Sequence, residues 1–157
     1  MYNNAESGNY LIRGARVYDH DADVHQPSHM DLLISDGRVA RLEKSIPNAE
    51  GVDVIEASDK LVIPGFVNAH YHSHDVLAKG LFEEMPFDVW TIHSNPVNYG
   101  RRSLAEVRLR TLIGAAEALR NGITTVQDML TVVPREEGYI DAVLSAYREI
   151  GIRVVFS

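Results

Sequence analysis

Four stretches near the N-terminus, residues 10–19 (YLIRGARVYD), 29–35 (HMDLLIS), 38–44 (RVARLEK) and 52–57 (VDVIEA), are short, rich in Val, Ile, Leu and Tyr, and separated by polar turns. Such runs predict β-strands. Between the second and third stands Asp36-Gly37, a pair suited to a type I′ hairpin turn because both central residues of that turn need positive φ. Residues 1–60 therefore predict a small antiparallel β unit.

From residue 61 the pattern changes. An apolar run, LVIPGFV, is followed by residues 103–120, SLAEVRLRTLIGAAEALR, which place Leu104, Val107, Leu112, Ala115, Ala116 and Leu119 largely on one helical face. Ser103 and Glu106 form a capping box at the start of that helix, and Asn121-Gly122 supplies its stop. The β-branched run ITTVQDM follows, then a second helical pattern, GYIDAVLSAYREI, halted by Gly151, then IRVVF. Alternating strand and helix implies parallel strands joined by helical crossovers, hence an α/β sheet or barrel. A closed parallel barrel needs eight strands and about 250 residues, so 157 residues ending after the third strand are expected to be an incomplete one.

Composition narrows the chemistry. A chain of 157 residues with 45% hydrophobic content has the proportions of a globular protein. Fifteen basic residues against 22 acidic ones give a net charge of -7 with no block of like charge, which excludes an extended phosphate-binding surface and nucleic acid as the expected partner. Cysteine is absent, so any metal must be held by His, Asp or Glu. The N-terminus has no basic segment followed by an apolar one, and no apolar run approaches the roughly 20 residues needed to span a bilayer. A soluble, cytoplasmic protein without a membrane partner is expected.

Three histidines, His70, His72 and His74, fall at every second position directly after the apolar run. In a strand, residues i and i+2 share a face about 7 Å apart, so two imidazoles can lean onto one ion. Imidazole suits zinc, iron, nickel or copper. The bland alternative, a polar strand face, stays open on the motif alone. Val62, Ile63, Phe66 and Val67 read as a buried parallel strand, whose C-terminal end is where α/β barrels carry their active sites. His74 falls beyond that end and reads as a loop residue. His20, His25 and His29 lie in the β unit and read as surface residues.

At this point the residues support a resemblance. LVIPGFVNAHYHSH, preceded by ISDGRVARL, resembles the opening of the metal-dependent amidohydrolase superfamily. KGLFEEMPFDVW and SLAEVRLRTLIGAAEALRNGITTVQDM are similar to the subgroup that contains cytosine, guanine and adenosyl-type deaminases and triazine hydrolases. The resemblance runs from about residue 10 to residue 157. It implies the N-terminal part of a (β/α)8 (TIM-like) barrel, with its first three β/α units in residues 61–157, preceded by strands of a small β-sandwich in residues 1–60.

His70 and His72 match the family's first-strand metal ligands. The implied cofactor is a divalent ion, zinc in the first place and iron as the alternative. The remaining ligands, two histidines and an aspartate that doubles as base, and the acid/base residue near the substrate would lie beyond Ser157. The implied reaction uses metal-activated water on a carbon–nitrogen bond of a small cyclic compound, by deamination or by amide or amidine hydrolysis. Two alternatives carry the same fold: a non-catalytic assembly or regulatory protein, and a dechlorinating or other hydrolase. The implied partner is a small-molecule substrate, and a homo-oligomer stays open.

Three further residues are candidate substrate contacts. Trp90 lies in a segment that the resemblance puts over the pocket mouth, where it would stack on a planar heterocycle or pack the lid. His93 belongs to the same region. In adenosyl and methylthioadenosine deaminases a Pro-x-Glu carboxylate receives the ribose hydroxyls, whereas this chain reads Pro96-Val97-Asn98. Asn98 can hydrogen-bond but offers no charged acceptor pair, which turns the expectation away from a nucleoside. Glu83 and Glu84 read as solvated. Of Gln127 and Asp128 one should face the pocket, and Asp128 would orient a ligand histidine or cap the adjoining segment.

Overall fold

The computed structural model describes residues 8–48, 50–95, 100–131 and 136–157. The chain divides into two compact units, residues 1–64 and residues 65–157.

The first unit is a five-stranded sheet built on β1 (Asn9–Val17). Strand β2 (Ser28–Ser35) pairs with β1 and β3 (Arg38–Glu43) with β2, both antiparallel. In the turn between β2 and β3, Asp36 and Gly37 have φ of 51° and 70°, the two positive values a type I′ turn requires. The sheet is mixed rather than antiparallel, which corrects the sequence expectation. Strands β4 (Val52–Glu56) and β5 (Leu61–Val62) both run parallel to β1. The cause is the connection after β3, which carries the chain across to the far side of β1 instead of folding it back as another hairpin.

One buried carboxylate ties that connection down. Asp31 of β2 is 5% exposed and accepts the amide N–H of Ile46 at 2.9 Å and that of Gly14 at 2.7 Å. Gly14 sits at the irregularity between Ile12 and Ala15 of β1 with φ +67°, a bulge geometry that favours glycine. The Ile46 amide holds the Asp31 carboxyl below its ordinary pKa against the opposing effect of burial, and the Gly14 amide and Arg13 act in the same direction as Ile46.

The second unit carries a three-stranded parallel sheet in the order β6 (Phe66–Tyr71), β7 (Ile123–Asp128), β8 (Arg153–Phe156). A 3₁₀ helix (Ser73–Ala78) follows β6, then α1 (Phe87–Ser94) and α2 (Leu104–Arg120), and α3 (Tyr139–Ile150) connects β7 to β8. The Ser103–Glu106 capping box forms in full at the start of α2, and α3 stops at Gly151 with φ 79°. The core joins Val107, Ala115 and Ala118 of α2 to Val126 of β7, Tyr139, Val143 and Tyr147 of α3, and Ile152.

Two burial expectations are corrected. The buried face of α2 is Val107, Arg110, Thr111, Gly114, Ala115 and Ala118, while Leu104 is exposed. The face is turned because α2 packs at once on α3, β7 and the 3₁₀ helix. Gly114 makes the last contact close: a Cβ there would overlap the hydroxyl of Tyr71 and a methyl of Val76. Phe66 and Val67 are 55% and 67% exposed rather than buried, and Ile63 is exposed too. Within this unit β6 is an edge strand pairing only with β7, so the described residues cover it from one side.

Candidate metal centre

Strand alternation separates the two sides of the end of β6. Tyr71 pairs with Asp128 in the parallel register, and both turn toward the helices, Tyr71 against Gly114 and Asp128 onto Tyr147 of α3. The residues on either side of Tyr71, His70 and His72, therefore share the opposite face. Their Nε2 atoms lie 3.2 Å apart and their ring centroids 4.9 Å, with the planes 88° from parallel.

The tautomer of His72 follows from its second contact. Its Nδ1 is 2.8 Å from the backbone carbonyl of Met129. A carbonyl oxygen can only accept, so Nδ1 carries the proton and the Nε2 lone pair points at His70. A histidine whose far nitrogen is held by a carbonyl is the usual form of an imidazole metal ligand. The 3.2 Å gap also suits two nitrogens each about 2.0–2.1 Å from one shared zinc ion. The pair fits a divalent metal with nitrogen affinity.

His74 is not a third member of the pair. It lies in the first turn of the 3₁₀ helix, is 5% exposed, and its Nδ1 accepts the amide N–H of Thr131 at 3.2 Å. Its proton then resides on Nε2, which faces Asp75 Oδ1 at 3.5 Å. Burial holds its pKa below the ordinary value, against the pull of Asp75.

A cleft of about 360 Å³ opens beside His72, lined among others by His74, Trp90, Thr91, Ser94 and Thr131. That volume lies in the range of small-molecule sites. Trp90 borders the cleft and also stacks on Phe87, with ring centroids 5.8 Å apart and planes 21° from parallel. The stack lies within α1, the two residues being three positions apart. His93 is exposed on α1 and does not line the cleft. Asn98 lies outside the described residues. Glu83 and Glu84 are exposed, as are His20, His25 and His29.

Asp128 is fully buried and, among its hydrogen bonds to described residues, meets no histidine. Its Oδ1 accepts the amide N–H of Ser73 at 3.0 Å and its Oδ2 the hydroxyl of Tyr147 at 2.7 Å. It caps the segment that follows His72. Sequence reasoning missed the Met129 carbonyl, Ser94, Thr131 and Tyr147. The first three act through backbone or cleft position, and Tyr147 reads in sequence as one more apolar position of an amphipathic helix.

Known proteins share this arrangement of elements. The profile of the amidohydrolase family matches residues 61–157, and the chain belongs to that family. It is 38% identical over 125 residues to the 5-methylthioadenosine/S-adenosylhomocysteine deaminase of Pyrococcus furiosus, covering 78% of this chain and 27% of that protein. It is 33% identical over 134 residues to the 5'-deoxyadenosine deaminase of Methanothermobacter thermautotrophicus, covering 80% and 28%. Among solved structures, a mutant atrazine chlorohydrolase from Arthrobacter aurescens, complexed with zinc and atraton, superimposes with a TM-score of 0.77 at 25% identity, over 94% of this chain and 35% of that one. The chain thus spans about a third or less of the length of these relatives. Among the described residues no helix is long and apolar enough to cross a membrane.

Proposed function

We propose that the protein of which this chain is part is a metal-dependent hydrolase that removes an amino group from a small heterocycle. The observation that carries this reading is the His70–His72 pair, with its ring nitrogens 3.2 Å apart and the His72 tautomer held by Met129. Support also comes from membership of the amidohydrolase family and from relatives whose names are those of deaminases.

In this reading His70 and His72 hold a divalent ion, with zinc favoured because imidazole is its common ligand and because the atrazine chlorohydrolase structure contains it. When bound, such an ion supplies an activated water nucleophile at neutral pH. The chain's own residues orient the ligand nitrogens and the substrate. Met129 keeps the Nε2 lone pair of His72 turned to the site. Trp90 offers an aromatic surface to a planar ring in the adjoining cleft, and Thr91, Ser94 and Thr131 offer polar groups to orient it. The net reaction adds water across the amino-bearing carbon: a carbon–oxygen bond forms, the carbon–nitrogen bond breaks, and ammonia leaves with the water's proton. A barrel completed by further strands, and a β-sandwich around residues 1–60, belong to the same proposal.

The test is ammonia release by the full-length protein from a panel of adenine nucleosides, free purines, pyrimidines, pterins and triazines. Release from at least one class that vanishes in His72→Ala supports the reading. Release unchanged in His72→Ala, or none across the panel from metal-loaded protein, contradicts it.

A further inference from the structure

Asp128 is a fully buried carboxylate with no part in the proposed reaction, and its surroundings connect it to the candidate ligand His72. Three bonds fix the chain around that histidine. Before it, the Tyr71 carbonyl accepts the Met129 amide at 2.8 Å. At it, the imidazole donates to the Met129 carbonyl at 2.8 Å. Immediately after it, the Ser73 amide donates to Asp128 Oδ1 at 3.0 Å. The first two are made by the backbone of Met129, the residue that follows Asp128. The third comes from the Asp128 side chain, which is held in turn by the Tyr147 hydroxyl at 2.7 Å. Ser73, Asp128 and Tyr147 are all less than 2% exposed, so no water competes for these groups.

We propose that Asp128, braced by Tyr147, is a positioning residue that holds the backbone after His72 and thereby sets the affinity of the metal centre. The inference rests on the reading of His70 and His72 as ligands. Chemistry explains why a carboxylate is needed. Its two oxygens accept from two donors on different elements, one on the segment after β6 and one on α3. An asparagine of the same size has a single acceptor oxygen; with that oxygen on the Ser73 amide its NH₂ would face the Tyr147 hydroxyl, which would have to turn from donor to acceptor, and both bonds would lose the assistance of the carboxylate's charge. Tyr147→Phe removes the brace while leaving the carboxylate and the ring packing in place. Partners that orient metal-ligating groups change affinity by about 10–100-fold when removed.

The experiment measures zinc affinity of the full-length protein by competition with a chelator, the visible spectrum of its cobalt(II) form, and the unfolding temperature of each apo-variant. The variants are Asp128→Asn, Tyr147→Phe, His70→Ala, and Val143→Ala as a core control on α3. Asp128→Asn is expected to weaken zinc about 10–100-fold and to shift the cobalt bands, and Tyr147→Phe to do so in the same direction by less. Val143→Ala should lower the unfolding temperature and leave zinc affinity within about twofold of wild type, since it touches none of the three bonds. Should Asp128→Asn fail to fold, Tyr147→Phe decides. The inference is overturned if both polar variants bind zinc like wild type, or if Val143→Ala weakens binding as much as they do, because affinity then merely follows stability. Undiminished zinc binding in His70→Ala, or none in wild type, would instead overturn the metal-centre reading itself and this inference with it.

Discussion

The Nδ1 atom of His72 donates to the carbonyl of Met129 at 2.8 Å, joining the end of β6 to the segment leaving β7. That one bond settles which nitrogen of the His72 imidazole carries the proton, and so directs its Nε2 lone pair toward His70. It also makes the geometry of the pair depend on how the ends of β6 and β7 are held.

Gly114 is the contact on which Tyr71, and hence the facing of His70 and His72, rests. A Cβ at this position would overlap the Tyr71 hydroxyl and Val76. Gly114→Ala is expected to destabilise the full-length protein by about 1–3 kcal/mol, the usual range for overpacking. Adding Tyr71→Phe removes the overlapping oxygen and should recover part of that loss. Denaturant unfolding of the two single variants and the double variant measures it, and a purely additive double variant would show that the two residues do not clash.

In the first unit, Asp31→Ala leaves the amides of Ile46 and Gly14 without their acceptor and is expected to lower stability by about 1–3 kcal/mol at neutral pH. The sign of the pH effect follows from the depressed pKa of Asp31. The carboxylate's contribution is complete above its unfolded pKa of about 3.9 and is lost as the pH falls through the lower folded value. The gap between wild type and Asp31→Ala should therefore be constant from pH 7 to about 5 and narrow below about 3.9. Unfolding titrations across that span test it, and a gap that widens on acidification would contradict the assignment.

Trp90 borders the cleft while stacked on Phe87. For a planar heterocyclic substrate, Trp90→Ala should raise KM about 2- to 12-fold, the scale of one aromatic stacking contact of about 0.5–1.5 kcal/mol, while Trp90→Phe should stay near wild type. Steady-state kinetics on both variants decide between substrate contact and lid packing. An unchanged KM with a lowered unfolding temperature would assign Trp90 to packing alone. The exposed His93, which does not line the cleft, is expected to tolerate alanine with little change in either quantity.

What is legible in the sequence is what neighbouring residues decide. Asp36-Gly37 announces a turn because the two φ angles are local, and Ser103 with Glu106 announces a helix start because the box closes within one turn. The histidine pair is legible for the same reason, as alternation is a property of three consecutive residues. The partners of Asp128 are not. Ser73 lies 55 positions before it and Tyr147 19 after it, and nothing in either local pattern marks a bond across that distance. The mixed sheet escapes the pattern because the turn after β3 could equally have made another hairpin. The exposure of Phe66 and Val67 escapes it because an apolar run states what a strand can bury, not what is there to cover it.

The central claim is that His70 and His72 hold a divalent metal. Full-length protein, freed of metal by a chelator and reloaded with zinc, should retain about one ion per chain after dialysis when its metal is measured by mass spectrometry. The His70→Ala/His72→Ala double variant should retain almost none, with any ammonia-releasing activity down by more than about 100-fold. Equal zinc in the wild type and the folded double variant, or activity that survives the loss of both histidines, would contradict the account.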